Sequence, residues 1–198
     1  YGLAKKENDL YTLDRIPSPY SENQVGNLTG EGDPNDFSAP FIAELEMALS
    51  LNSLFEATKQ NIPNSAWIYY ISKNNFINIY PWVHSDKFQF SQELYTHEFY
   101  TWGLPSVNPE RKIFWTPAYL DEYGQGLMVT AAQPVYRDDE FLGTVAIDVT
   151  LDRLTEYVQS FKETAGTVMI VNEENQLIAH PELTLSENEN IYELKDAL

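Results

Sequence analysis

From Phe41 onward, helical and strand periodicities follow one another along the chain. Phe41, Leu45, Ala48 and Phe55 recur at helical spacing with Ile42 and Leu49 beside them, the stripe that one helix face buries. Ser38 or Asp36 stands where a side-chain oxygen can cap the first turn, and Pro63 ends the run. These signals predict an amphipathic helix of about 20 residues lying against the sheet that follows.

Ala66 to Pro81, AWIYYISKNNFINIYP, has β-branched and aromatic residues on both sides of a polar turn at Lys73 to Asn75, which predicts a hairpin. Trp67, Tyr69 and Ile71 share one face, while Ile68 and Tyr70 share the other. Apolar bulk on both faces predicts a central strand pair covered on both sides. A second hairpin is predicted from Leu127 to Val149. Leu127, Val129 and Ala131 alternate before Pro134, the turn is Arg137 to Glu140, and Phe141, Gly143, Val145, Ile147 and Val149 line one face. Thr150 then caps a helix carrying Leu151, Leu154, Val158 and Phe161 at spacings of three and four.

The remaining segments lack a sustained period. Residues 1–36 are polar and punctuated by Pro17, Pro19, Gly26, Gly30, Gly32 and Pro34, which predicts an irregular lead-in. Residues 82–120 are rich in large aromatics and broken by Pro105, Pro109 and Pro117. A connection this long in a compact domain ordinarily builds a binding surface, with a short helix expected around Gln89 to Phe99. Thr167 to Pro181 repeats the design of Trp67 to Pro81, with Asn75/Asn175 and Pro81/Pro181 identical. The expected organisation is therefore a lead-in over 1–36, a helix and first module over 37–160, and the start of a second module over 161–198.

Composition narrows the function. Twelve Lys and Arg against thirty Asp and Glu give a net charge of −18, which excludes nucleic acid and an anionic membrane face as partners. The absence of cysteine excludes disulfides, Cys-ligated metal and a thiol nucleophile. No window is apolar enough to span a membrane and no signal-peptide pattern opens the chain, a reading compatible with a piece from between two membrane segments. His84, His97 and His180 lack metal-ligand spacing. No nucleophile elbow, P-loop or dinucleotide fingerprint is present, so neither catalysis nor a cofactor is expected. Asn27-Leu28-Thr29 matches a glycosylation sequon, a motif short enough to arise by chance.

Asp148 is the first candidate site residue. It falls on the strand face of Leu142 and Ala146, where a carboxylate is costly unless it is paired or reaches a pocket. A contact to an ammonium or another donor competes there with a structural hydrogen bond. Tyr119, Asp121 and Tyr123 precede the second hairpin, either as a turn closed by Gly124 and Gly126 or as a pocket mouth. Aromatic rings with carboxylates suit a cationic or zwitterionic ligand. Trp82, Trp102 and Trp115 are candidate pocket walls or core.

The segments YYISKNNFINIYPW, FWTPAYLDEYG and TAAQPVYRDDEFLGTVAIDVTLDRL resemble the membrane-distal module of a double Cache sensor domain, the PAS-like extracytoplasmic sensor of bacterial receptors. TVMIVNEENQLIAHP resembles the start of the membrane-proximal module. The resemblance implies an α+β fold with a central antiparallel sheet flanked by helices. It further implies a periplasmic position between two membrane helices of an inner-membrane protein, and a homodimeric receptor. It is nearest to sensors of GGDEF diguanylate cyclases, with histidine kinases or chemoreceptors as alternatives, so any catalysis would lie in a cytoplasmic output domain. A ligand-free interaction module and a periplasmic hydrolase are the remaining alternatives.

Amino-acid-binding members resemble this chain at Tyr119, Asp121 and Asp148, where the strand aspartate meets the ligand ammonium. Their Arg-x-Trp-Tyr pattern has no arginine counterpart in EFYTWGL, Glu98 to Leu104. Arg111 and Lys112 are the candidate substitutes, and an amine ligand would need neither. The expected recognition set is thus Tyr119, Asp121 and Asp148, with Trp102, Trp115 and Tyr123 around it.

Overall fold

The computed structural model describes residues 2–121, 125–161, 166–183, 185 and 191–197. Three short strands open it: β1 (Ala4–Lys5), β2 (Leu10–Thr12) and β3 (Asn27–Glu31). Helices α1 (Ala39–Ser50) and α2 (Asn52–Asn61) follow, then β4 (Ser65–Ser72) and β5 (Phe76–Tyr80). After the short α3 (Glu98–Thr101) come β6 (Phe114–Trp115), β7 (Tyr119–Leu120), β8 (Leu127–Arg137) and β9 (Glu140–Thr150). Helix α4 (Leu151–Gln159) leads to the hairpin β10 (Ile170–Val171) and β11 (Leu177–Ala179).

The first nine strands form one antiparallel sheet in the order β1-β2-β3-β5-β4-β9-β8-β6, with β7 also paired to β8. This central antiparallel sheet with flanking helices is the α+β, PAS-like architecture expected. Both hairpins form where alternation predicts them. Gly143 is required by the second: at φ +155° its backbone lies so close to β4 that an added Cβ would stand 2.0 Å from the Ile71 carbonyl oxygen.

The lead-in is a correction to the expectation from sequence. Residues 1–36 are not irregular throughout, because β3 pairs with β5 and β2 with β3, burying Tyr11, Leu13 and Leu28. Strands of two to five residues carry too little alternation to show a period, and their pairing partners lie up to about fifty positions away in sequence. Asn27 of the sequon is fully buried, accepting from Leu13 N at 3.0 Å and donating to the Val83 carbonyl at 2.6 Å. That position is closed to a glycan.

The predicted single helix is two. The Leu51 N–H bonds the Ala48 and Leu49 carbonyls, and Asn52 turns inward to accept from Gly26 N at 3.1 Å and Asn78 Nδ2 at 3.0 Å. Satisfying those buried donors requires a polar side chain on the buried face, and the helix breaks there. Ser38 caps α1, accepting from Phe41 N.

The two sheet faces carry separate cores. Leu45, Ala48 and Phe55 pack on Ile68, Tyr70 and Phe76 beneath α1 and α2. On the other face Tyr69, Ile71, Ile77 and Ile79 are covered by Phe88, Phe90, Phe99 and Tyr100 from the long connection. Each such aromatic contributes roughly 2–3 kcal/mol when fully buried. A third core joins Leu151 of α4, capped by Thr150, to Leu177 and Ile178 of β11. Phe161, expected on that stripe, is instead exposed and edge-on to Tyr157. The recurrent asparagines Asn75 and Asn175 both adopt positive φ, 61° and 60°, a conformation that asparagine tolerates in a turn.

Candidate functional site

Strands β8 and β9 pair Thr130 with Asp148, and β4 runs along the other edge of β9. Asp148 is buried with its carboxylate among hydroxyls. Oδ1 accepts from Tyr69 Oη at 2.9 Å and from Thr130 Oγ1 at 2.7 Å. Tyr119 Oη lies 2.7 Å from Thr130 Oγ1; with the Thr130 proton committed to the carboxylate, the phenol is the donor. The relay therefore runs from Tyr119 through Thr130 to Asp148.

These bonds do not fully offset desolvation. Burial pushes the Asp148 carboxyl up to about 7, the hydroxyls of Thr130 and Tyr69 pulling it down and the Asp121 charge pushing it up. Burial and the nearby Asp148 carboxylate hold the Tyr69 and Tyr119 phenols above the ordinary tyrosine value, so both remain neutral donors. Asp121 Oδ2 accepts from Gln125 N at 2.8 Å, and its own N–H bonds the Gly126 carbonyl at 3.0 Å. Its charge also bears on Asp148.

Asp148, Asp121 and Tyr119 line one cavity of about 60 Å³ with Trp67, Tyr69, His97 and Phe99, over a floor of Ile71, Ile77 and Ile79. A single water needs about 10–15 Å³, so this space suits a small solute. Among the described residues its lining contains two carboxylates and neither lysine nor arginine. Among the described residues no cluster of three or more His, Asp or Glu is placed to hold a metal.

The structure divides the set expected from sequence. Trp102 and Trp115 line a different cavity, of about 670 Å³, with Leu154, Val171 and Ile178, and Trp115 is 57% exposed. Trp115 belongs to an edge strand facing the β10–β11 hairpin, which removes it from the Asp148 cavity. Tyr123 lies outside the described residues. Trp82 is structural, donating from Nε1 to the Leu13 carbonyl at 3.0 Å. Arg111 is held over the Tyr136 ring at 4.0 Å and paired with Asp139 at 2.8 Å. Lys112 is paired with Glu110, and neither cation lines the Asp148 cavity.

Sequence reasoning missed Trp67, His97 and Phe99 as lining residues. His97 stacks on Phe99 with centroids 5.0 Å apart and planes at 12°. One signal was available: alternation puts Trp67 on the strand face of Tyr69 and Ile71, which also line this cavity.

Comparison with known proteins agrees with this architecture. The ligand-binding domain of the Pseudomonas aeruginosa PAO1 amino acid chemoreceptor PctC, solved with GABA, has the same fold. Its TM-score is 0.50 at 18% identity, over 69% of this chain and 57% of that one. The sensory domain of the Campylobacter jejuni chemoreceptor Tlp3, solved with isoleucine, gives a TM-score of 0.48 at 20% identity over 64% of this chain. This chain spans about half of that domain, 48%. The family profile described as the methyl-accepting chemotaxis protein-like first PDC sensor domain matches residues 40–156, from α1 into α4 and so across both hairpins and the Asp148 cavity. With more than half of its length under that match, this chain belongs to the methyl-accepting chemotaxis protein-like family of first PDC sensor domains.

Proposed function

We propose that this chain is the extracytoplasmic sensing part of a chemoreceptor-type membrane protein, and that it captures a small amine-bearing solute at Asp148. The observation that supports this reading is a buried carboxylate held by the Tyr69 and Thr130 hydroxyls in an aromatic cavity that has neither lysine nor arginine among its described lining residues. An ammonium there meets an ion-pair partner at Asp148 among the aromatic rings of Phe99 and Tyr119. Tyr69, Thr130 and Tyr119 fix the carboxylate before the ligand arrives, which lowers the ordering cost of binding.

The family description favours a chemotaxis-type output over the diguanylate cyclase suggested by sequence resemblance. Among the described residues no helix is long and apolar enough to cross a membrane, so anchoring would come from other segments of the receptor. In this reading residues 37–160 form the membrane-distal module and residues 161–198 begin the proximal one. Helix α4 starts three residues after Asp148 and packs on β11, which gives occupancy of the cavity a short route to the second module. Signal requires that ligand bind one arrangement of α4 more tightly than the other, and the receptor would act as a homodimer.

Calorimetric titration of the wild-type chain and of Asp148→Asn with small primary amines tests the proposal. The expected result is loss of binding in a variant with an unchanged circular-dichroism spectrum. Equal affinity of the two proteins overturns it.

A further inference from the structure

Trp67 combines two features that the binding reading leaves unused. Its Nε1 is enclosed too tightly for a water to touch it and has no hydrogen-bond partner among the described residues, although the ring lines the cavity that holds Asp148, so a small turn of the ring is what would bring the N–H to a ligand. An enclosed indole N–H without an acceptor is costly and rare. Its position on the sheet is also irregular. Strands β4 and β9 pair Ile68 with Ile147 and next pair Ser65 with Val149, so Ala66 and Trp67 together stand opposite the single residue Asp148. A bulge of this kind re-aims a side chain, and bulges concentrate beside functional sites. Here it places Trp67 opposite Asp148, and both side chains line the same cavity.

Resting on the amine reading above, we infer that Trp67 is the second polar contact of the cavity, donating its indole N–H to a neutral acceptor oxygen carried by the ligand. The ligand class is a small amine that also bears a hydroxyl, ether or amide oxygen. A neutral acceptor is favoured over a carboxylate because Asp121 and Asp148 already place two acidic groups in the lining, and among the described lining residues there is no lysine or arginine. A second anion would be repelled by Asp121 once Asp148 is matched by the ammonium. The aromatic and aliphatic remainder of the wall accommodates the carbon chain between the two polar ends.

The test uses three probes of equal chain length: propylamine, 3-aminopropan-1-ol and β-alanine. Each is titrated calorimetrically into the wild-type chain, Trp67→Phe and Asp148→Asn. In the wild type, 3-aminopropan-1-ol should bind roughly three- to tenfold more tightly than propylamine, the worth of one buried hydrogen bond. Trp67→Phe keeps an aromatic ring without the N–H and should reduce that ratio to about one, so a general loosening of the fold, which weakens both probes alike, is separated from loss of the N–H. The Trp67 indole N–H resonance should move on adding 3-aminopropan-1-ol and stay in place with propylamine. Two results overturn this inference alone: a ratio that survives Trp67→Phe, or tighter binding of β-alanine than of 3-aminopropan-1-ol. Absence of binding by all three probes, or binding unaffected by Asp148→Asn, overturns the amine reading itself.

Discussion

Thr130 and Asp148 are cross-strand partners on β8 and β9, and the Thr130 hydroxyl donates to Asp148 Oδ1 at 2.7 Å while accepting from Tyr119. One hydroxyl thus joins the loop tyrosine to the strand carboxylate. Thr130→Val keeps the shape and deletes both bonds. The variant should lose about 1–3 kcal/mol of stability. It should also raise the carboxyl value of Asp148 further, since Thr130 holds it down. Thermal unfolding measures the first effect, and a carbon-detected NMR titration of the Asp148 carboxyl measures the second. An Asp148 titration unmoved by the substitution would contradict the relay.

Stability of the ligand-free chain should depend on pH through Asp148 with a sign opposite to that of a paired surface carboxylate. Its folded value, about 7, lies above that of an unfolded aspartate. The folded state therefore binds the proton more tightly. The contribution of this group is complete below pH about 4 and is lost as pH rises towards 7, on the order of 4 kcal/mol in total. Asp148→Asn should flatten that slope in urea unfolding between pH 4.5 and about 7.5.

Ligand affinity should run the other way. An ammonium is held by the ionised carboxylate, so affinity for a primary amine falls by up to tenfold for each pH unit below about 7, and levels off above it. Titrations across this range check the slope, and binding should be accompanied by proton release near neutral pH.

Asp14 supplies a contrast of opposite sign. Burial alone would raise its carboxyl. Bonds from Lys6 at 2.7 Å, Ser85 Oγ at 2.6 Å, Ser85 N at 2.9 Å and Thr12 Oγ1 at 2.8 Å outweigh burial and hold it well below the usual carboxylate range. Its stabilising contribution is present above the unfolded value and is lost as pH falls below about 4. Asp14→Ala should release the lead-in from the segment after β5, seen as faster amide exchange at Leu13 and Ser85.

Gly143→Ala should destabilise the chain by about 2 kcal/mol or more, because the new methyl meets the Ile71 carbonyl at 2.0 Å and φ +155° is strained for alanine. Chemical denaturation checks this. Asp148 lies five residues further along the same strand, so the loss should be accompanied by weaker amine binding.

Much of the fold was legible because its signals are local. Alternation over β4, β5, β8 and β9 needs only neighbouring residues, and so does the Thr150 cap of α4. Asp148 was legible for the same reason, as a carboxylate on a strand face shared with Ala146. Strands β1 to β3 were not, since Leu10, Tyr11 and Leu28 become strand residues only by pairing with distant partners. Nor was the break at Leu51, which depends on Asn52 meeting Gly26 and Asn78.

By itself the sequence determined the strand and helix periods, the turn asparagines and the acidic, cysteine-free chemistry that makes a carboxylate the natural anchor of a ligand. Tertiary structure decided which aromatics share a cavity with that carboxylate. Residues 82–120 have no period to assign a face, so only packing brings His97 and Phe99 over Asp148 and leaves Trp102 and Trp115 elsewhere. Trp67 shares the strand face of Tyr69 and Ile71 by alternation, but only the two-for-one register slip against β9 places it opposite Asp148, and a slip between strands is a property of the pair that neither strand encodes alone.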